Sequence, residues 1–416
     1  MEHKSPIVIK QQSVNSKFKL NLILKITQAI NENLSIDELL QQYKHILFND
    51  LKIGKIAVYK FSSRWEKLLV SGISKECIDK IKIGKHLSSI SEITYISRDL
   101  PEVFWSFDFI IPVIHKNSVL AYILIGDIDE EMEGMSPAIK HLSFIQTISN
   151  IIIVAMENKR LYKQLLIQEA FKKEMELASK IQNLLIPNQS SLPQNQYIST
   201  CGYYQPHYEI GGDYYDFINF NDQELGFCIG DVSGKGIPAA LIMSNFQATL
   251  RALFRPEIPL DELMVQLNQK VCDSSSSEKF LTFFIGIYNY TTRKLKYVNA
   301  SHHPPLLYNF EKGETTLLKK GCIGLGMLDE IPAISIGEIT INEHSKLLCY
   351  TDGLIELERD DQMEVGVQFL TKTFATQKNI SDTFKDLIQH IDIGKKNKAV
   401  IDDISLFGIE FKTTQM

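Results

Sequence analysis

The sequence is short of paired cysteines, of excess positive charge and of long uninterrupted apolar runs. Each shortage removes a class of protein. Six cysteines stand singly at Cys77, Cys201, Cys228, Cys272, Cys322 and Cys349, with no Cys-x-x-Cys among them. Neither a disulfide scaffold nor a zinc ribbon is expected, and a reducing compartment fits. Lys and Arg number 44 against 50 Asp and Glu, a net charge of −6, so no basic field is available to grip nucleic acid. The opening MEHKSPIVIKQQSVNSK has no apolar core of the signal-peptide kind. The longest apolar stretch, FDFIIPVIHKNSVLAYILIG (107–126), is broken by His115, Lys116 and Asn117. It reads as two strands and a turn, not as a bilayer span. A cytoplasmic protein is expected, with no nucleic-acid partner and no membrane insertion.

The 416 residues suggest two or three domains at roughly 150 residues each. Residues 18–158 read as helix, strands, helix. An amphipathic helix carries Leu20, Ile23, Leu24, Ile26 and Ile30, and strands are expected at 55–61, 67–73, 108–114 and 119–126. A closing helix buries Ile145, Ile148, Ile152 and Ala155. This α/β order is similar to that of a GAF sensor domain, with a ligand pocket or a plain dimerisation role both open. Residues 159–190 form a helical linker. ENKRLYKQLLIQEAFKKEMELASKIQNLL (157–185) holds no Pro or Gly and spaces Leu161, Leu165, Ala170, Met175, Ala178, Ile181 and Leu185 among mixed charges. A rod ending at Pro187 and pairing two copies as a coiled-coil-like seam is the expectation. Residues 191–414 are rich in short strands and hold the recognisable chemistry.

That chemistry is acidic. In GGDYYDFINFNDQELGFCIGDVSGKG (211–236) two alternating apolar runs flank Asn221-Asp222-Gln223, which predicts a hairpin. Counting outward puts Leu225 opposite Asn219, Phe227 opposite Phe217, Ile229 opposite Tyr215 and Asp231 opposite Asp213. The period of two keeps all of these on one face, with Asp216 on the other. Opposed like charges destabilise a sheet, and a divalent cation compensates them most simply. A second pair repeats the arrangement. KLLCYTDGLIE (346–356) ends its apolar run at Asp352-Gly353 before a helical-looking LIELER, and DDISLFGIEF (402–411) begins with two aspartates. Antiparallel pairing of these strands would bring Asp352 to Asp402 or Asp403. Four aspartates without His or Cys suit hard ions such as Mg²⁺ or Mn²⁺. A nucleotide P-loop is excluded, because three residues rather than four separate Gly230 from Gly234, and Gly236 follows Lys235. GGDYY is only superficially similar to the GGD of diguanylate cyclases, since the residues after it and the rest of the chain do not fit such an enzyme.

GGDYYDF (211–217), GDVSGKGIPAAL (230–241), NASHHPPLLY (299–308), YTDGLIE (350–356) and DDIS (402–405) occur in the order seen in SpoIIE/RsbU-type serine/threonine phosphatases. These belong to the PPM, or protein phosphatase 2C-like, superfamily. ELASKIQNLLIP (176–187) resembles the helix that leads into such domains. The resemblance implies an α+β fold for the C-terminal part, an α-β-β-α sandwich of two antiparallel sheets with a two-metal site at one edge. It further implies two divalent cations, Mn²⁺ or Mg²⁺, held by Asp213, Asp231, the Val232 carbonyl, Asp352 and Asp402, the last chosen over Asp403 by the resemblance. Hydrolysis of phosphoserine or phosphothreonine by a metal-activated water would follow, on an anti-sigma-factor antagonist (STAS-type) protein in bacterial partner-switching. Two departures stand out. Ser233 occupies the position where eukaryotic-type members carry His, and no Arg lies in YYQPHYEIGG (203–212) to hold phosphate. Lys235 is the candidate for that phosphate-holding role. His302 and His303 read as structural turn residues, and Thr282, Phe283 and Phe284 as a buried strand start. A non-catalytic scaffold on the same fold is the alternative.

Overall fold

The computed structural model describes residues 6–116, 118–126, 137–275, 279–355, 367–397 and 402–413. The chain divides into two compact units, Met1–Glu169 and Ala170–Met416.

The first unit opens with helices α1 (Pro6–Asn31) and α2 (Ile36–His45). Ser35 starts α2 through a reciprocal capping box with Glu38, which satisfies two otherwise orphaned N–H groups. Strands β1 (Lys55–Phe61) and β2 (Trp65–Ser71) come next, then the helical turns α3 (Lys75–Asp79) and α4 (Ile83–His86). The unit's strands are completed by β3 (Thr94–Tyr95), β4 (Phe109–His115) and β5 (Ser118–Gly126). They form an antiparallel sheet in the order β2-β1-β5-β4-β3. Strand alternation sorts the core onto two faces. Val58, Ile111, Val113 and Ile123 pack with Leu22, Ile26, Leu39, Tyr43, Ile148 and Ile152 of the helices. On the other face Ala57, Ile110, Tyr122 and Leu124 pack with Ile78, Ile83, Leu87 and Phe104. Strand β2 begins two residues earlier than the sequence suggests, because Trp65 packs against Phe61 and Tyr122 and so draws the strand back.

Helix α5 (Pro137–Asn183) runs unbroken for 47 residues. Leu161, Tyr162, Leu165, Ile167, Phe171 and Leu177 along it are exposed.

In the second unit, β6 (Ile198–Gln205), β7 (Tyr214–Asn219) and β8 (Glu224–Val232) precede α6 (Ile237–Leu253) and α7 (Leu260–Ser275). Then come β9 (Leu281–Asn289), β10 (Lys294–Ala300), β11 (Leu306–Asn309), β12 (Glu314–Leu317), β13 (Gly321–Cys322), β14 (Gly337–Thr340) and β15 (Ser345–Tyr350). Helices α8 (Asp352–Ile355), α9 (Val367–Phe374) and α10 (Ile380–Asn397) lead to β16 (Ile404–Phe411). Two sheets result, β13-β10-β9-β8-β7 with β14 also on β10, and β12-β11-β15-β16-β6. All pairings are antiparallel except the short β10–β13 contact. The expected helical LIELER is seen only as far as Ile355; residues 356–359 lie outside the described residues.

The inner faces meet through Phe407 of β16, whose ring lies 4.8 Å from that of Phe217 and 5.8 Å from that of Phe227. Met243, Phe246, Leu263 and Leu267 cover the outside of the first sheet, and Leu370, Phe374, Phe384 and Leu387 that of the second. This is the expected α-β-β-α sandwich. Period-two alternation in β7 sends Tyr215 and Phe217 inward and Asp216 outward, where Arg251 of α6 binds it at 2.7 and 3.0 Å. Asp216 is fully buried, whereas the Arg251 side chain is 51% exposed. The two partners are therefore unequal in a test of stability. Arg251→Ala removes the positive partner of a buried carboxylate that keeps the Tyr214 hydroxyl and the Phe217 N–H as donors, and should cost about 3 kcal/mol. Asp216→Ala leaves a guanidinium that water can solvate, loses the bond from the Tyr214 hydroxyl at about 1 kcal/mol, and should cost less. Urea unfolding of the two variants checks this, and equal losses would contradict it.

Candidate active site

The hairpin has the register expected from the sequence. Asn219 faces Leu225, Phe217 faces Phe227, Tyr215 faces Ile229, and the ladder closes with Tyr214 opposite Gly230. Asp213 and Asp231 lie directly beyond at the open end, at the rim of the inter-sheet core, close enough for the Asp231 charge to act on Asp213. Asp213 is 1% exposed. Burial first, then the charges of Asp231 and Asp403, push its carboxyl well above the usual carboxylate range. Asp231 is pushed up to about 7 by burial and by the nearby charges of Asp352 and Asp402. Two carboxylates sharing a site cannot both ionise without positive charge nearby.

The second strand pair delivers the remaining acids. β15 and β16 are antiparallel, with Tyr350 opposite Leu406. Asp352 opens α8 immediately beyond, and Gly353 passes directly against the 402–403 backbone: a Cβ there would lie 2.0 Å from the Asp403 carbonyl oxygen. Only glycine permits that approach. The adjacent aspartates then divide. Asp403 is buried and accepts from the backbone N–H groups of His207 (2.7 Å) and Gly212 (2.6 Å). Asp402 instead contacts Lys235 Nζ at 2.8 Å and acts electrostatically on Asp231. The two residues thus differ in their partners: Asp403 fastens the 207–212 loop and also acts on Asp213, while Asp402 holds Lys235.

Three further side chains hold this arrangement, none of them singled out from the sequence as part of the site. Thr351 Oγ1 donates to Asp213 Oδ2 at 2.7 Å and accepts from the Ser405 N–H at 2.9 Å. Gln182, in the last turn of α5 and 5% exposed, grips Gly211 twice. Its Nε2 donates to the Gly211 carbonyl at 2.7 Å, and its Oε1 accepts the Gly211 N–H at 3.0 Å. Thr282 stands opposite Asp231 in the β8–β9 ladder and hydrogen-bonds His302 Nδ1 at 2.9 Å. His302 is buried, with its amide N–H held by Asn299, and burial depresses its pKa to about 3, so it is neutral near pH 7. His303 is exposed and stacks on Tyr350.

The Val232 carbonyl oxygen lies toward Gly212, 3.1 Å from where a Cβ on that glycine would stand. Among the described residues no three acidic, His or Cys side chains close on a common point. Asp213 is held by Thr351, and Asp402 is turned onto Lys235. The donor set is nonetheless all oxygen, mutually repulsive and partly desolvated, which is the chemistry a hard divalent cation fits.

Comparison with known proteins places this unit. The family model described as stage II sporulation protein E (SpoIIE) matches residues 221–412, a span that includes Asp231, Asp352 and Asp402. Protein IcfG of Synechocystis is 27% identical over 268 residues, 57% of this chain and 41% of that protein. Phosphoserine phosphatase RsbU of Bacillus subtilis is 27% identical over 231 residues, 53% of this chain and 67% of that one. The chain thus spans well under half of IcfG and about two thirds of RsbU. Among solved structures, the SiaA-PP2C domain of Pseudomonas aeruginosa superposes with a TM-score of 0.51 at 16% identity, covering 59% of this chain and 99% of the domain. Its likeness is one of fold. The motif order, the sandwich and the family model agree: residues 221–412 of the second unit match the SpoIIE model, and its fold is similar to that of a PP2C domain.

Proposed function

We propose that this protein is a phosphatase of phosphoserine or phosphothreonine in proteins, acting in the cytoplasm on a STAS-type antagonist in partner-switching signalling. The observation that carries the reading is the pairing of β7 with β8 and of β15 with β16, which brings Asp231 within electrostatic reach of Asp213, Asp352 and Asp402 at the sandwich rim. Asp213, Asp231, the Val232 carbonyl, Asp352 and Asp402 would hold two divalent cations, Mn²⁺ or Mg²⁺. The cations would supply a nucleophilic water and neutralise charge on the phosphoryl group. The chain's own part is positional. Thr351 fixes the rotamer of Asp213, Asp403 fastens the loop before it, and Gln182 fixes that loop's entry from the α5 side. The test is phosphate release from a phosphoserine protein with Mn²⁺. Wild type should turn over and stop with chelator, and Asp352→Asn should stay inactive in both conditions. Turnover that ignores the chelator counts against the reading.

The same reading gives the chain three functional parts: a GAF-like sensor over 18–158, a helical linker over 159–190 and the phosphatase over 191–414. Exposed apolar side chains along α5 support a homodimer formed through the sensor and linker. The Gln182–Gly211 clamp supports control of the site from α5, because the linker's last turn holds the loop that carries Asp213. Removing residues 1–169 leaves Gln182 in place and should change kcat several-fold. Identical kinetics in the truncated and full chains would contradict that control.

A further inference from the structure

Lys235 lies in the turn between β8 and α6, four residues after Asp231, and its ammonium is 2.8 Å from Asp402 Oδ2. The lysine is 37% exposed and the aspartate 27%. Ion pairs this open contribute little to stability, so the position of the pair is more informative than its strength. Asp403 accepts from two backbone N–H groups, and both aspartates act electrostatically on Asp231, but it is Asp402 whose carboxylate holds Lys235. The turn itself is pinned. The Ser233 N–H donates to the Phe280 carbonyl and the Phe280 N–H to Ser233 Oγ, while Gly234 and Gly236 take positive φ values of 89° and 73°. The backbone is therefore fixed beside the acids, and the long lysine side chain can leave Asp402 by rotation of its own torsions.

We infer that Lys235 is a built-in competitor for Asp402: its ammonium and a divalent cation exclude one another there, and cation entry releases the lysine to meet the phosphoryl group. The inference rests on the metal-dependent reading above and deepens it. A carboxylate oxygen that accepts from an ammonium has its outward lone pairs directed at that group. A cation on the same oxygen would bring like charges into near contact. Metal affinity is then set below what the aspartates alone would give, and the group that could receive phosphate becomes available only once the site is loaded. This also accounts for an acid site with no arginine upstream: the phosphate-binding charge is stored on a metal ligand.

Calorimetric titration of the full chain with Mn²⁺ and with Mg²⁺ tests this, using wild type, Lys235→Met and Lys235→Arg, with thermal melts to confirm folding. Lys235→Met should bind cation about tenfold more tightly than wild type, which is about 1.4 kcal/mol. Lys235→Arg should stay near wild type. At saturating metal, Lys235→Met should show a raised KM for a phosphoserine protein. Wild type that binds while Lys235→Met binds no more tightly overturns this inference alone. Wild type that binds neither cation overturns both it and the metal-dependent reading.

Discussion

Asp231→Asn should lose on the order of 10³-fold in turnover of a phosphoserine protein, at any Mn²⁺ concentration, while the fold survives. The expectation comes from where the side chain stands. Its charge acts on Asp213, it feels Asp352 and Asp402, and it lies at the end of a strand whose preceding residues are locked in the inter-sheet core. Asparagine keeps the volume and removes the charge, so loss of a cation ligand is separated from loss of packing. Removing one member of a repulsive buried group should also leave the metal-free protein at least as stable as wild type. That pairing of outcomes is diagnostic: catalysis collapses while the unfolding midpoint holds or rises. A variant that unfolds at lower denaturant would show that Asp231 has a structural role, and one that retains turnover would remove it from the site.

Gln182→Ala should weaken Mn²⁺ binding or turnover by roughly 10–100-fold, the scale on which groups behind metal ligands act. Gln182 touches none of the candidate cation ligands. It holds both backbone groups of Gly211, and Gly212 and Asp213 come directly after. Without it the loop keeps the Asp403 fastening at His207 and Gly212. The stability cost should be modest, about 1 kcal/mol for each lost hydrogen bond. The informative readout is the Mn²⁺ concentration for half-maximal activity, which should rise in the variant. Unchanged metal dependence with lower stability would make Gln182 a plain structural residue and would break the proposed line from α5 to the site.

Much of the site is legible in the chain because it sits on a hairpin. Alternation from Tyr215 to Phe217 and from Leu225 to Ile229, with Asn-Asp-Gln between, leaves one register that keeps both strands' apolar residues inside. Asp213 and Asp231 then have to meet. The choice between Asp402 and Asp403 is different, since adjacent residues point to opposite sides and pattern alone treats them alike. Only the tertiary approach of the 207–212 loop assigns Asp403 its backbone partners. Thr351 and Gln182 are hidden for the same reason, because their partners lie 138 and 29 residues away. Lys235 is visible as a charge in a turn, but its contact with Asp402 depends on how two strand ends converge. In the first unit, α2 is not among the expected helices, although the Ser35–Glu38 capping box stands at its start. The two-residue strand β3 has no such signal, since it exists only through its pairing with β4.

The central claim is that four aspartates from two strand pairs are a cation site. Anomalous diffraction from crystals grown with Mn²⁺ tests it most directly. Two peaks are predicted beside Asp231, within coordinating distance of Asp213, Asp352 and Asp402, with Lys235 moved off Asp402. Crystals at saturating Mn²⁺ that show no peak there, with Lys235 still on Asp402, would contradict the account.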